Sequence, residues 1–154
     1  MLLLVHHGDA VGPEVDPMRP LSGAGRSGST MLAEAAASRG VKPDLVWHSG
    51  KVRARQTAQL FWRACNPLAT FAAVHGLQPG DPPRWIRDEL LGDSRSILLV
   101  GHMPHLSGLL SLLRGQSIEG AVPDFPLHGC VALEPEGDRW VELWRIEAPD
   151  PRSA

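Results

Sequence analysis

The chain has 154 residues, of which 43% are hydrophobic and 21% are charged, and its formal net charge is −2. These values fit a single domain spanning residues 1–154 and exclude the basic excess that binding to nucleic acid or an anionic membrane surface requires. The N-terminal apolar run is too short for a membrane span or a secretory leader. Cys65 and Cys130 form no CxxC pair. Two isolated cysteines favour a reducing compartment, so we expect a cytoplasmic protein; a single disulfide between them is the alternative.

The first predicted element is a strand that ends in two histidines. Leu2–Val5 are four successive apolar residues, a pattern typical of a strand that is buried on both faces. His6 and His7 follow, and Gly8 ends the strand. Ligands of open α/β sheets bind at the carboxyl ends of strands, so both imidazoles are candidate site residues.

A loop and a helix are predicted next. The loop 9–20 contains three prolines and should border any site at the strand end. Ser22 is a good N-cap, and Gly40 can end the helix in a left-handed conformation. The predicted apolar stripe consists of Ala24, Gly28, Met31, Leu32, Ala35 and Ala36. Glycines at 23, 25 and 28 weaken the start of this helix and predict close packing of its backbone on the sheet.

The middle of the chain predicts two further strand–helix units. Leu45–His48 is a strand, and a helix begins near Val52 and stops at Asn66-Pro67. Thr70–Val74 is a short strand. Asp81-Pro82 resembles an N-cap with proline at the first helical position, so a helix to about Leu91 follows.

The C-terminal third predicts a strand, a helix and a hairpin. The strand is Ser96–Val100, and Pro104 opens an amphipathic helix that Gly115 ends. After a loop over 116–128, the strands 130–133 and 140–146 flank a turn at 135–138, and the tail from residue 148 is expected to fray. This order predicts an α/β fold, a three-layer α/β/α sandwich whose mostly parallel sheet has an antiparallel edge.

Three predicted strand ends bring His7, Arg53 and His102 to one rim of the sheet. Imidazole offers a nucleophilic nitrogen, and guanidinium offers a planar set of donors suited to phosphate oxygens. Each residue alone is weak evidence, but their joint placement favours phosphoryl transfer.

Four motifs in order carry a resemblance that covers nearly the whole chain. They are His6-His7-Gly8-Asp9, Arg19-Pro20-Leu21-Ser22, Ser49-Gly50-Lys51-Val52-Arg53-Ala54-Arg55-Gln56-Thr57 and Val100-Gly101-His102. Together they resemble the histidine phosphatase superfamily, with its phosphoglycerate mutase-like fold, and look most like its SixA-type phosphohistidine phosphatases. The resemblance implies that His7 is the phosphate-accepting nucleophile and that Arg53 and His102 hold the phosphoryl oxygens. It further implies substrate-binding positions at His6, Gly8, Arg19 and Ser49.

The chain departs from the family at position 6, where His6 stands in place of the arginine of the Arg-His-Gly motif. One hypothesis is that a protonated His6 replaces part of the lost charge. The alternative is a degraded, non-catalytic module that binds phosphate or phosphohistidine, since a lost preorganised donor can cost about 10²–10³ in rate.

No strong general acid is apparent in the segment 75–81, where many relatives carry an acidic residue. Position 76 is glycine, Asp81 is interpreted as a helix cap, and Asp88 and Glu89 as solvated helix residues. The imidazole of a phosphohistidine leaves more easily than an alkoxide, which favours an N-phosphorylated substrate. We expect a phosphorylated protein, for example a phosphotransfer domain, or a small phosphorylated molecule as partner, and no cofactor.

A metal site is a further alternative, because imidazole is a common zinc ligand. Its candidate ligands are His6, His7, His102 and His105, although Pro104 and the following helix should direct His105 away. His48 and His128 are interpreted as ordinary strand or loop residues.

Overall fold

The computed structural model describes residues 1–119 and 123–148. Its elements are β1 (Leu2–His6), α1 (Gly23–Ser38), β2 (Leu45–His48), α2 (Val52–Cys65), β3 (Thr70–Ala73), α3 (Pro83–Leu90), β4 (Ile97–Gly101), α4 (His105–Leu113), β5 (Cys130–Glu136) and β6 (Arg139–Ile146). Every predicted element is present, with bounds displaced by up to a few residues. The predictions for residues 120–122 of the loop and for the tail 149–154 lie outside the described residues.

The six strands form one sheet in the order β3-β2-β4-β1-β5-β6. The first four are mutually parallel, β5 runs antiparallel to them, and β6 runs antiparallel to β5. Strands β1 and β4 are therefore central neighbours, with His6 opposite Gly101. Their carboxyl ends, and that of β2, lie at the same edge of the sheet, as does the beginning of the antiparallel β5.

Helices cover both faces of the sheet. Leu3, Val5 and their counterparts on neighbouring strands pack against α1 and α2, whereas Leu2 and Leu4 pack with α3 and α4. The alternating side chains of β1 thus enter two cores, which explains why all of its residues are buried. The expected α/β fold, with three layers and an antiparallel edge, is confirmed.

The buried face of α1 differs from the predicted stripe. Met31 is exposed, and the buried residues are Gly25, Ser29, Leu32, Ala33 and Ala36. Of the three early glycines, only Gly25 meets neighbouring backbone closely: an added Cβ would lie 1.9 Å from the carbonyl oxygen of Asp9, whereas Gly23 and Gly28 face open space. The helix is therefore rotated so that its glycine contacts the loop after β1.

Two turns also differ from prediction. Pro82, not Asp81, occupies the N-cap of α3, and the Asp81 carboxylate instead accepts a hydrogen bond from the Gln78 N–H. Pro135 belongs to β5, where it lies opposite Trp140 of β6. A proline is tolerated at this position because β5 here extends past Leu133, its last residue paired with β1, and a tight turn at Gly137 joins it to β6.

Both cysteines are free thiols. Among the residues described, no helix combines the length and the apolar character needed to cross a membrane.

Candidate active site

The sheet edge brings the three predicted catalytic side chains together. His7 follows β1 and His102 follows β4, and their ring centroids lie 5.0 Å apart. Arg53 lies in the first turn of α2, which begins just beyond the end of β2. Burial lowers the pKa of both rings most, and the positive charge of Arg53 lowers each further. Strand ends that share one edge thus assemble residues that are far apart in sequence.

The backbone orients the His7 ring. Its Nδ1–H donates to the carbonyl oxygen of Gly8 at 2.7 Å, because a carbonyl can only accept, and Nε2 is left with its lone pair. The Gly8 N–H donates to the Thr57 hydroxyl, which in turn donates to the Arg53 carbonyl. Burial lowers the pKa of His7 to about 4, so the ring is neutral at pH 7 and its Nε2 is a competent nucleophile.

Ser49 fixes the tautomer of His102. The Lys51 N–H donates to Ser49 Oγ, and Ser49 Oγ forms a hydrogen bond with His102 Nε2 at 2.6 Å. Burial lowers the pKa of His102 to about 3, and with the Ser49 hydroxyl as donor the neutral ring carries its one proton on Nδ1. Sequence reasoning placed Ser49 in substrate binding, and its contacts show that it acts on His102.

Two buried donors at this edge have no protein acceptor. Arg53 Nε and His102 Nδ1 are both buried, and neither finds a hydrogen-bond partner within residues 1–119 and 123–148. Unpaired buried N–H groups are costly, so two of them at the sheet edge that carries His7 are the donors expected for an oxyanion ligand. These donors belong to different elements and meet only at the site.

His6 is held neutral, which differs from the expected protonated form. Its Nδ1 accepts a hydrogen bond from the His128 backbone N–H at 2.8 Å, so the proton of the ring is on Nε2. Burial and the charge of His7, followed by that of His128, lower the pKa of His6 to about 2. His6 therefore offers one neutral N–H donor and does not replace the charge of an arginine.

His128, which the sequence analysis interpreted as an ordinary strand or loop residue, contacts both His6 and His7. Its ring stacks on His6 with centroids 4.8 Å apart and planes within 4° of parallel. Its Nδ1–H donates to the His7 carbonyl at 2.6 Å, and its φ of 54° lies in the left-handed region. One signal could have found it: His128 immediately precedes an antiparallel strand, whose beginning lies at the edge where parallel strands end.

Gly8 and Arg19 lie at the borders of this site. A Cβ at Gly8 would lie 2.3 Å from Ser29 Oγ, so the glycine allows the end of β1 to contact α1. Arg19 donates from Nε to the Val11 carbonyl, and burial together with the charge of Arg19 lowers the pKa of His7 and of Arg53. Gly8 thus serves packing and His7 orientation, and Arg19 adds positive charge at the rim.

The set of imidazoles that could hold a metal differs from the predicted one. His105 is buried at the start of α4, and the grouped rings are His6, His7 and His128, with one nitrogen of each within 4.8 Å of the others. His6 Nδ1 is already an acceptor for an N–H group, so the neutral ring has a proton and no free lone pair on Nε2. Two available nitrogens fall short of the three or four protein ligands of zinc sites.

The solved structures are similar over almost the whole chain, whereas no protein-family model and no curated protein sequence matches it. The protein histidine phosphatase SixA complexed with tungstate has a TM-score of 0.80 and 22% identity, over 95% of this chain and 96% of that one. A protein from Agrobacterium tumefaciens assigned as a phosphohistidine phosphatase SixA has a TM-score of 0.78 and 26% identity, over 96% and 97%. A mycobacterial glucosyl-3-phosphoglycerate phosphatase complexed with VO3 has a TM-score of 0.73 and 18% identity, over 96% and 99%.

Proposed function

We propose that this chain, which has the phosphoglycerate mutase-like fold and resembles the SixA-type histidine phosphatases, is a phosphohistidine phosphatase with His7 as its nucleophile. The observation that carries the proposal is a pair of buried donors, Arg53 Nε and His102 Nδ1, that find no hydrogen-bond partner in the described part of the chain, at the sheet edge where the Nδ1–H of His7 is fixed on Gly8. A phosphoryl group would satisfy both donors and meet the free His7 Nε2.

The reaction proceeds in two displacements. His7 Nε2 attacks phosphorus and forms a P–N bond while the P–N bond of the substrate breaks, and the leaving imidazole takes a proton from solvent. Water then attacks phosphorus, the bond to His7 breaks, and phosphate is released as the water loses its proton to solvent. Arg53 and His102 stabilise the phosphoryl oxygens in both steps, and the Gly8 carbonyl stabilises the positive charge on the phosphorylated ring.

The carboxylates near the site support an N-phosphorylated substrate. Asp81 accepts from the Gln78 N–H, and Asp9 accepts from the Ser22 hydroxyl that caps α1. Asp88 is exposed and pairs with Arg87. These structural roles leave none of the three carboxylates committed to protonating an alkoxide, whereas an imidazole leaves with a proton from water. A phosphorylated protein, such as a phosphotransfer domain, or a small phosphoramidate fits this chemistry.

The replacement of the family arginine favours a second candidate, a module that binds phosphohistidine without turnover. His6 supplies a neutral donor and no charge. The same pocket would then hold the phosphoryl group, while the loss of charge slows or abolishes its transfer.

Rapid quenching with a phosphohistidine-bearing protein labelled in the phosphoryl group tests the proposal. We expect acid-labile label on the chain and release of phosphate, both abolished in His7→Ala and retained in the control His75→Ala, an exposed ring that stacks on Trp85. Stoichiometric binding of substrate without label or release would establish the binding module instead. Activity lost to a chelator and restored by zinc would overturn the mechanism in favour of a metal site.

A further inference from the structure

The loop that follows β3 reaches the end of β2 through one side chain, that of Gln78. Its Nε2 donates to the backbone carbonyl oxygen of Ser49 at 2.7 Å. A carbonyl can only accept, so this contact fixes which end of the Gln78 amide faces the strand end. The segment 75–81, in which the sequence offers no strong general acid, therefore contacts the site through an amide.

The Ser49 carbonyl needs this contact because it lies beyond the strand ladder. The last residue of β2 in register with β4 is His48, and Gly50, with a φ of 91°, turns the chain immediately after Ser49. Only 6% of Ser49 is exposed, so its carbonyl would be costly to leave without a donor. In the described part of the chain, that donor is Gln78 Nε2.

A tight turn holds the backbone of Gln78. Its N–H donates to Asp81 Oδ2 at 2.9 Å, and the Asp81 N–H donates to the Gln78 carbonyl at 3.1 Å. Pro82 and Pro83 follow directly and restrict the backbone further. The Gln78 amide therefore starts from an ordered turn, so little conformational entropy is lost when it binds the Ser49 carbonyl.

Ser49 connects this turn to His102. Its Oγ forms the hydrogen bond of 2.6 Å with His102 Nε2, and with the hydroxyl as donor the ring proton is on Nδ1. We propose that Gln78 is a positioning residue, which acts through Ser49 to hold the ring and the tautomer of His102 for the phosphoryl group. This inference rests on the proposed function, because it names a further residue that serves the same site.

A positioning role and a merely structural role of Gln78 predict different results when Ser49 is changed. Ser49→Ala keeps the backbone carbonyl that Gln78 binds and removes the hydroxyl that contacts His102. If Gln78 acts through that hydroxyl, the loss of its donor has no further effect on catalysis in the Ser49→Ala background. If it only stabilises the loop, the two substitutions act independently and their effects multiply.

The variant Gln78→Met keeps the length of the side chain and removes the donor. Its matched control is Gln116→Met, at an exposed glutamine just after α4. With a phosphohistidine-bearing protein as substrate, we expect Gln78→Met to lower kcat about 5- to 50-fold, with a smaller change in KM, and Gln116→Met to follow the parent. In the Ser49→Ala background, Gln78→Met should change kcat by no more than about twofold.

Nitrogen NMR of the histidine rings gives a readout that does not depend on turnover. In the parent chain and in Gln116→Met, we expect the neutral His102 ring to carry its proton on Nδ1. In Gln78→Met, a mixture of the two tautomers is expected, because Ser49 no longer holds its hydroxyl in one position against Nε2.

Three outcomes overturn the inference: a kcat of Gln78→Met equal to that of the parent, an effect of Gln78→Met that is equally large with and without the Ser49 hydroxyl, or a His102 tautomer that Gln78→Met leaves unchanged. Thermal unfolding shows whether each variant keeps its fold, and Gln78→Ala replaces Gln78→Met in every measurement if the latter does not fold. If neither folds, a parent His102 ring with its proton on Nε2 overturns the inference, and one with its proton on Nδ1 supports it.

The proposed function and this inference fail in different ways. Turnover of phosphohistidine with independent effects of Gln78→Met and Ser49→Ala leaves the proposed function standing without the inference. If no variant and not even the parent turns over phosphohistidine, the proposed function fails as a catalytic one. The same pair of substitutions is then compared by calorimetry with tungstate, a phosphate analogue, and effects on its dissociation constant that do not multiply support Gln78 as a positioning residue of an anion site.

Discussion

Gly25 is the position where a single methyl group tests how α1 meets the end of β1. A Cβ there would lie 1.9 Å from the carbonyl oxygen of Asp9, a backbone atom that cannot rotate away. Asp9 is held in place by Ser22, whose N–H and hydroxyl donate to its carbonyl and carboxylate. Gly25→Ala must therefore displace either the helix or the loop, and we expect it to lower the free energy of unfolding by about 1–3 kcal/mol.

Gly28 provides a matched control in the same helix. An added Cβ at Gly28 meets nothing within 4 Å, so Gly28→Ala should raise the free energy of unfolding by about 0.5–1 kcal/mol through helix propensity. Urea denaturation of both variants measures whether the free energy of unfolding falls for Gly25→Ala and rises for Gly28→Ala. Gly25→Ala should also weaken tungstate binding, because Asp9 adjoins Gly8, whose carbonyl orients His7. A Gly25→Ala chain as stable as the Gly28→Ala chain would refute the close approach on which this reasoning rests.

Two further predictions concern the site histidines. Ser49→Ala removes the hydroxyl that keeps the His102 proton on Nδ1 and should lower kcat about 10- to 100-fold, more than it changes KM, whereas the exposed Ser38→Ala should leave steady-state kinetics unchanged. Burial lowers the pKa of His6 to about 2 and of His102 to about 3. Below the ordinary histidine pKa of about 6.5, the unfolded chain therefore binds more protons at these two rings than the folded chain does. Stability should therefore fall as the pH drops below that value, by up to about 1.4 kcal/mol per pH unit for each ring, and equal urea midpoints at about pH 7 and about pH 5 would contradict this linkage.

The positions of His7, Arg53 and His102 could be predicted because they depend on a rule of topology. Buried apolar runs identified the strands, and parallel strands end at a common edge, so residues after those runs had to meet. The N-cap at Ser22 could also be predicted, because it depends only on a hydroxyl residue that directly precedes a helical pattern. These features follow from a few neighbouring residues.

The role of His128 and the neutrality of His6 depend on contacts across the whole chain. His128 lies in a loop without periodicity, and its partners are 121 and 122 residues away. The burial of α1 was also mispredicted at Met31, because hydrophobicity alone does not reveal that Gly25 must face Asp9. Close backbone contacts and hydrogen bonds to ring nitrogens produce no periodic pattern of residues from which a sequence analysis could predict them.

The central place of β1 has a consequence for how the chain is made. Leu2 pairs with Ile97 on one side and Leu133 on the other, about 95 and about 130 residues further along. During synthesis, β1 has no strand to pair with until β4 and then β5 emerge from the ribosome, so its apolar side chains stay exposed. Such long-range pairing is slow, and the exposed strand is prone to aggregation in the meantime. A nascent chain released before Cys130 would leave one edge of β1 open, and His7, which follows that strand, would lack the neighbouring strand that brings His128 to it.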